Sequence, residues 1–232
     1  MLTVHHLEDS QSFRIVWLLE EIQMPYELKI YQRTKDKLAP PEYKNMSPLG
    51  TSPTISDGDL ILSESNAIID YILDKAEAMQ TSSSTLSLRP APGSSHRVDY
   101  LFWFHMSAAT FQAVMSMDSL LRVLPSKVPW PISLILQTVA SKVQDAYFRP
   151  RLDKIYQLAE QQLTTHMFLA GDQLTAADIT IVYSFDSSLQ RMPDLATTYP
   201  RCHAWYQRLL QRPALIKALE KVQQTHISFS DF

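Results

Sequence analysis

Between Gln11 and Ile22 the apolar residues Ile15, Leu18, Leu19 and Ile22 recur at helical spacing while Glu20 and Glu21 fall on another face, which predicts an amphipathic helix stopped by Pro25. "LTVHHL" before it is a short β-type run, and "YELKIYQ" after it alternates as a strand does. The polar stretch "RTKDKLAPPEYKN" has room for a helical turn. "SPTIS" and "LILS" predict two short strands joined through Asp57-Gly58, a dipeptide that favours hairpins. "SNAIIDYILDKA" predicts a helix with Ile68, Ile69 and Ile72 on its buried side. The order is β-α-β-(α)-β-β-α, a βαβ unit followed by a hairpin and a helix, and it sets an α/β domain at residues 1–80.

The texture changes at "QTSSSTLSLRPAPGSS", whose Ser, Thr and Pro content marks a linker over residues 81–94. From 95 to 232 the pattern is helical throughout. "HRVDYLFWFHMSAATFQAVMSMDSLLRVL" is long and aromatic-rich, and three prolines, Pro125, Pro129 and Pro131, interrupt the helical pattern at its end. "SLILQTVASKVQDAYF" and "RLDKIYQLAEQQL" form a helix pair or one bent helix across Pro150. "LTAADITIVYSFDSSL", "YPRCHAWYQRLLQR" and "PALIKALEKVQQ" complete the domain. Thr175 and Asp178 stand at the two positions of a capping box, and Leu174 and Ile179 at those of a hydrophobic staple. That signal concerns folding, not chemistry.

Composition narrows the function classes. The chain has 232 residues, 45% hydrophobic and 19% charged, ample for a real core and unlike a disordered segment. A net charge of -3 and the lack of a basic stripe give nucleic-acid binding no electrostatic support. One cysteine, Cys202, makes no internal disulfide and begins no metal site, which fits a reducing compartment. "MLTVHHLEDS" has no basic region of a secretory signal, and no apolar run approaches the ~20 residues of a membrane helix. The expectation is a soluble cytoplasmic protein with no metal, no nucleic-acid partner and no membrane span.

Three places carry candidate chemistry, each with a plainer alternative. Pro53 lies against a strand. It is an ordinary loop proline, or it shapes an open backbone edge at Ser52 where a short peptide docks by strand addition. Glu64-Ser65 precedes a helix. It is a cap, or it holds an α-amino-acid head group, the hydroxyl and free N–H groups facing the carboxylate and Glu64 the ammonium. Asp9, Ser10 and Ser12 each suit a cap, and a hydroxyl there also suits a thiolate near a helix N-terminus. Bringing a thiol from ~8.5 to ~6.5 takes about 3 kcal/mol, within reach of a charge-assisted hydrogen bond and a helix end.

These places fall in the order and spacing of one family. The first ~80 residues resemble the thioredoxin-like domain of cytosolic glutathione transferases, and the rest resembles their all-helical domain. "SQSFR" looks like the serine motif of the serine-type classes, "NMSPLGTSPTI" like the cis-proline segment, "LSESNAI" like the motif that binds the γ-glutamyl group, and "LAGDQLTAADI" like the capping-box segment. The general look is nearest to fungal and bacterial members. The resemblance implies a glutathione-transferase fold: a βαβαββα domain with a four-stranded mixed sheet, plus an all-α bundle.

It also implies roles. Ser10 would stabilise the glutathione thiolate; Ser52, beside the cis-proline Pro53, would pair its backbone with the cysteinyl unit; Glu64 and Ser65 would hold the γ-glutamyl head. Thr51 stands where a longer Lys or Gln often reaches the glycyl end, and Lys44 is a second candidate for that carboxylate. The electrophile site would lie between the domains, with Phe104, His105, Ala108, Phe111 and Met115 as one wall for a bulky apolar substrate. The implied function is transfer of glutathione to a hydrophobic electrophile by a homodimer, in detoxification or secondary metabolism. Two alternatives share the residues: a glutathione-dependent double-bond isomerase, and a non-catalytic glutathione-binding protein.

Overall fold

The computed structural model describes residues 1–79 and 87–228; the side chain of Gln190 lies outside that description. Strand β1 (Leu2–Leu7) leads into α1 (Phe13–Glu21), β2 (Glu27–Tyr31), the short α2 (Pro41–Lys44), the hairpin β3 (Thr54–Asp57) and β4 (Leu60–Ser63), and α3 (Ser65–Ala78). The sheet order is β2-β1-β3-β4, with β2 parallel to β1 and the other pairs antiparallel. This is the mixed four-stranded sheet that the resemblance implies. In the hairpin, Asp57 pairs with Leu60, so the two central turn residues are Gly58 and Asp59, and Gly58 takes the positive φ of 61°. β1 is buried along its whole length, and eight consecutive residues of α1, Phe13 to Glu20, are buried too.

The linker expected over 81–94 is outside the described residues as far as 86. Its remainder is pinned rather than loose: Leu88 is buried and its carbonyl accepts from Ala176 N–H at 2.8 Å, and Arg89 reaches Glu77 and Asp70 on α3. The helical part comprises α4 (Arg97–Met106), α5 (Ala113–Val123), α6 (Trp130–Val143), α7 (Arg149–Gln162), α8 (Ala176–Ser188), the short α9 (Leu195–Thr198), α10 (Pro200–Leu210) and α11 (Pro213–Val222). π-helical turns at Ser107–Gln112 and Gln144–Phe148 join α4 to α5 and α6 to α7. The pair across Pro150 is therefore one continuous helical run. The second π turn lies just ahead of that proline, where a regular helix would crowd the carbonyl one turn back.

The Asp178 carboxylate accepts from both the N–H and the hydroxyl of Thr175, and also from Leu169 N–H and the Trp205 indole. Leu174 and Ile179 are both buried, as a staple requires. The two parts of the chain meet over α1, which packs against α8 and α11. Arg212 donates to Glu21 at 2.7 Å, Lys217 pairs with Glu20, and Asn66 on α3 donates to the Phe104 carbonyl at 2.8 Å. These contacts fix the end of β1 and the start of α1 opposite α5 and α8.

Candidate active site

The turn between β1 and α1 holds a short chain of hydroxyls. Ser10 Oγ donates to the Leu7 carbonyl at 2.7 Å and lies 2.7 Å from Ser12 Oγ and 2.8 Å from Ser52 Oγ. Ser12 is fully buried, accepts from Leu7 N–H and sits 2.8 Å from His6 Nδ1. The choice left open between them is thus a geometric one. Ser10 lines a cavity between the two parts of the chain, and Ser12 lies beneath it. Although Ser12 occupies the N-cap position of α1, its side chain makes no cap hydrogen bond. Burial pushes the pKa of His6 down to about 4, against the pull of Asp9, so its ring is neutral near pH 7. Its Nε2 is buried with no hydrogen-bond partner among the described residues.

The segment from Gly50 to Ile68 supplies the other side. Gly50 has a φ of 60°, and a Cβ there would lie 2.8 Å from the Lys44 carbonyl, so glycine is required by both backbone and space. The Ser52–Pro53 bond is cis. Pro53 is buried, whereas Thr51 and Ser52 line the cavity, just ahead of the first ladder pair at Thr54. Lys44 is exposed at the end of α2 and is not on the cavity wall; the cations on it are Arg33 and Lys37.

Glu64 is exposed and carries a φ of 77°, uncommon for a residue with a side chain and a feature that clusters at ligand sites. Ser65, the first residue of α3, is buried and accepts from Arg14 Nη2 at 2.8 Å. Arg14 is itself buried, and also donates to the Thr180 carbonyl on α8 and to Gln11. Burial lowers its pKa to about 10, which leaves it protonated at neutral pH. Gln11 lines the cavity, so Arg14 links the Ser65 corner to the Ser10 corner. The arginine stands inside the quoted "SQSFR", where the motif drew attention to its serines alone.

The cavity has a volume of about 650 Å³. Its helical wall is one stripe of α5 and the turn before it, Gln112, Met115, Ser116, Ser119, Leu120 and Val123, faced by Tyr183 and Ser187 of α8. Of the five wall residues expected, only Met115 is on it. Phe104 and Phe111 are in the core, and His105 and Ala108 are exposed elsewhere. The π turn at Ser107–Gln112 is the physical cause. It shifts the helix face, so a regular spacing projected from Phe104 through Ala108 and Phe111 loses register before Met115. The wall is also more polar than the expected apolar one. Its signal in the sequence is the Gln112, Ser116, Ser119 spacing, invisible to a search for aromatics.

The fold and site define a thioredoxin-like domain joined to a helical domain, with a hydroxyl-floored cavity between them. A model of the glutathione S-transferase N-terminal domain matches residues 1–74, and one of the C-terminal domain matches residues 133–222. Glutathione S-transferase 3 of Schizosaccharomyces pombe is 30% identical over 233 residues, covering 100% of this chain and 92% of that protein. A crystal structure of a glutathione S-transferase from Actinobacillus pleuropneumoniae aligns with a TM-score of 0.72 at 29% identity, covering 100% and 97% of the two chains. A glutathione transferase from Phanerochaete chrysosporium, solved with oxidized glutathione, shares the fold at a TM-score of 0.73 and 22% identity, over 96% of each chain. The chain belongs to the glutathione S-transferase family.

Proposed function

We propose that the protein is a glutathione transferase whose Ser10 hydroxyl stabilises the glutathione thiolate for attack on an electrophile held in the interdomain cavity. The observation that carries this is the position of Ser10, on the cavity wall and 2.8 Å from Ser52 Oγ beside the cis Pro53. A tripeptide lying along Ser52 would put its cysteinyl sulfur near Ser10. Its γ-glutamyl head would lie toward Glu64 and Ser65, and its glycyl carboxylate toward Thr51. For that carboxylate, Arg33 and Lys37 are better placed than Lys44, since they are on the cavity wall. On binding, the Ser10 proton turns from the Leu7 carbonyl to the sulfur.

The test is conjugation of glutathione to 1-chloro-2,4-dinitrobenzene and to an enone, with the pH profile of kcat/KM. Ser10→Ala is expected to lower kcat/KM on both by roughly a hundredfold and to move the acid limb to higher pH. An unchanged rate and profile would remove Ser10 from this role. The same residues serve a glutathione-dependent isomerase, and product mass separates the two, because isomerisation leaves the mass of the substrate unchanged. We also infer a cytosolic homodimer, supported by family membership and by exposed Val98, Leu101 and Phe102 on α4 and Ile61 on β4. A monomer on a sizing column at micromolar concentration would refute it.

A further inference from the structure

After α11 the chain runs on through residues 223–228, which the transferase reading does not use, and it arrives at the turn that carries Ser10. α11 stops at Gln223, which takes a φ of 59°, and Gln224 N–H closes on the Leu219 carbonyl at 3.0 Å. Gln224 Nε2 donates to Asp9 Oδ1 at 2.7 Å, and His226 Nε2 lies 3.1 Å from the same oxygen. Ile227 is buried, and the N–H and hydroxyl of Ser228 both donate to Asp186 Oδ2, at 3.0 and 2.5 Å. Asp186 stands on α8, one residue before Ser187 of the cavity wall. The tail is thus tied to the Ser10 turn at one end and to the helical part at the other.

Asp9 directly precedes Ser10, and both line the cavity. Its φ is 49°, a left-handed geometry that Asp and Asn tolerate. The backbone of the turn is held by Arg33, which donates to the Glu8 carbonyl at 2.9 Å and to the Asp9 carbonyl at 3.2 Å. The carboxylate of Asp9 is left to the tail. A carboxylate only accepts, so the His226 proton sits on Nε2, while the Thr225 hydroxyl lies 3.4 Å from Nδ1. Gln224 Oε1 is buried with no partner among the described residues, so its amide is oriented by donation to Asp9. The titratable groups around Asp9 are Glu8, Arg33 and Lys37 on the sheet side, His6 beneath it and His226 on the tail.

A carboxylate next to a forming thiolate opposes it, since each negative charge disfavours the other. That opposition is weakest when the carboxylate is turned to fixed donors and kept there. We propose that the C-terminal tail holds the Asp9 carboxylate off the glutathione thiolate, with Gln224 and His226 as its positioning residues. The proposal rests on the transferase reading and adds a control on the charge at the Ser10 site. Gln224 and His226 are not on the cavity wall, so they act through Asp9 and not on the sulfur. The thiol proton itself leaves to solvent. Burial of Ile227 and the two bonds from Ser228 to α8 fix the far end of the tail, which sets the two donors opposite Asp9 in one arrangement.

The experiment follows the thiolate absorbance of bound glutathione against pH in the full chain, with kcat/KM for 1-chloro-2,4-dinitrobenzene measured alongside. Replacing both donors, Gln224→Ala with His226→Ala, is expected to move the thiol titration up by about half a pH unit and to lower kcat/KM about threefold on the acid side. Adding Asp9→Asn to that variant, which keeps the left-handed preference and removes the charge, is expected to return both to their wild-type values. Asp9→Asn in the otherwise intact chain is expected to leave the titration at or below its wild-type position. No shift on replacing the donors, or a loss that Asp9→Asn does not repair, would overturn the proposal and make the tail a structural strap. A titration that rises on Asp9→Asn alone would overturn it too, because the carboxylate would then be assisting ionisation. A wild-type protein that shows no bound thiolate and no turnover would instead overturn the transferase reading and this proposal with it, whereas Ser10→Ala raises the titration if that reading holds.

Discussion

Two serines in this molecule are each addressed by an arginine: Ser65 by the buried Arg14 at the start of α3, and Ser119 by the partly buried Arg191 on the helical wall. In both cases the serine accepts and its own proton remains to be given. The arginines differ in their charge balance. Arg191 pairs with Asp118, and the carboxylate also takes Arg122, which reaches solvent. Arg14 has no carboxylate within ion-pair distance among the described residues, and its partners are a carbonyl, an amide oxygen and a hydroxyl. A buried cation without a counter-ion favours a ligand that is already an anion. On the proposed transferase reading, the Ser65 corner suits the carboxylate of the γ-glutamyl head.

Removing the unbalanced cation is the strongest way to break this comparison. Arg14→Met leaves the Thr180 carbonyl, Ser65 and Gln11 without their donor, at about 1–3 kcal/mol for each buried group left unpaired, partly offset because no guanidinium is desolvated. A lower urea midpoint is expected, together with a KM for glutathione raised by about tenfold or more. If the variant is less stable but binds glutathione normally, Arg14 is a structural tie between α1 and α8 and the charge argument fails. Ser65→Ala separates the same question from stability. It is expected to raise the glutathione KM by up to about tenfold with kcat nearly unchanged. The ratio of enone to aryl-halide rates should stay the same, because the head group is remote from the electrophile. A change in that ratio would mean the two serines are not independent.

The two regions also differ in how much of them could be read from the amino-acid order. The Ser10, Ser52 to Pro53 and Glu64 to Ser65 places are short segments whose chemistry lies in adjacent residues, so they were visible together with the strand and helix order that joins them. The element order, a βαβ unit plus a hairpin, narrows the topologies the sheet can take, whereas the strand order β2-β1-β3-β4 is seen only in the packed sheet. The helical wall was not legible for two physical reasons. Its register depends on a π turn between Met106 and Ala113, and nothing in "SAATFQ" announces one. Its chemistry depends on Arg191, 72 positions beyond Ser119 in the chain and brought to it only by the packing of α8 on α5. The expectation of an aromatic wall put Phe104 and Phe111 at the surface of the cavity, whereas their size and the packing around them make them core.

The smallest expected effect comes from the bottom of the Ser10 chain, where the group beneath the hydroxyls is neutral rather than charged. The pKa of His6 falls from 6.5 to about 4, chiefly through burial. In the unfolded chain the ring takes up a proton below about 6.5, while in the folded protein it resists down to about 4. Between those values the unfolded state binds more protons, so stability declines as pH falls through this window and the His6 contribution levels off below it. His5 is shifted in the same direction, by burial and by Lys29, and adds to the same slope. His6→Asn keeps a polar atom near the position of Nδ1, so Ser12 retains a partner, but removes the titration. Urea midpoints measured from pH 7 to pH 5 should therefore fall less steeply in His6→Asn than in the wild type. The acid limb of kcat/KM should stay where it is, since the group titrating there is the thiol and not the ring beneath it. A displaced acid limb would show that His6 sets the proton balance at Ser10, and would make the hydroxyl chain itself an ionising unit, unlike either arginine-held serine.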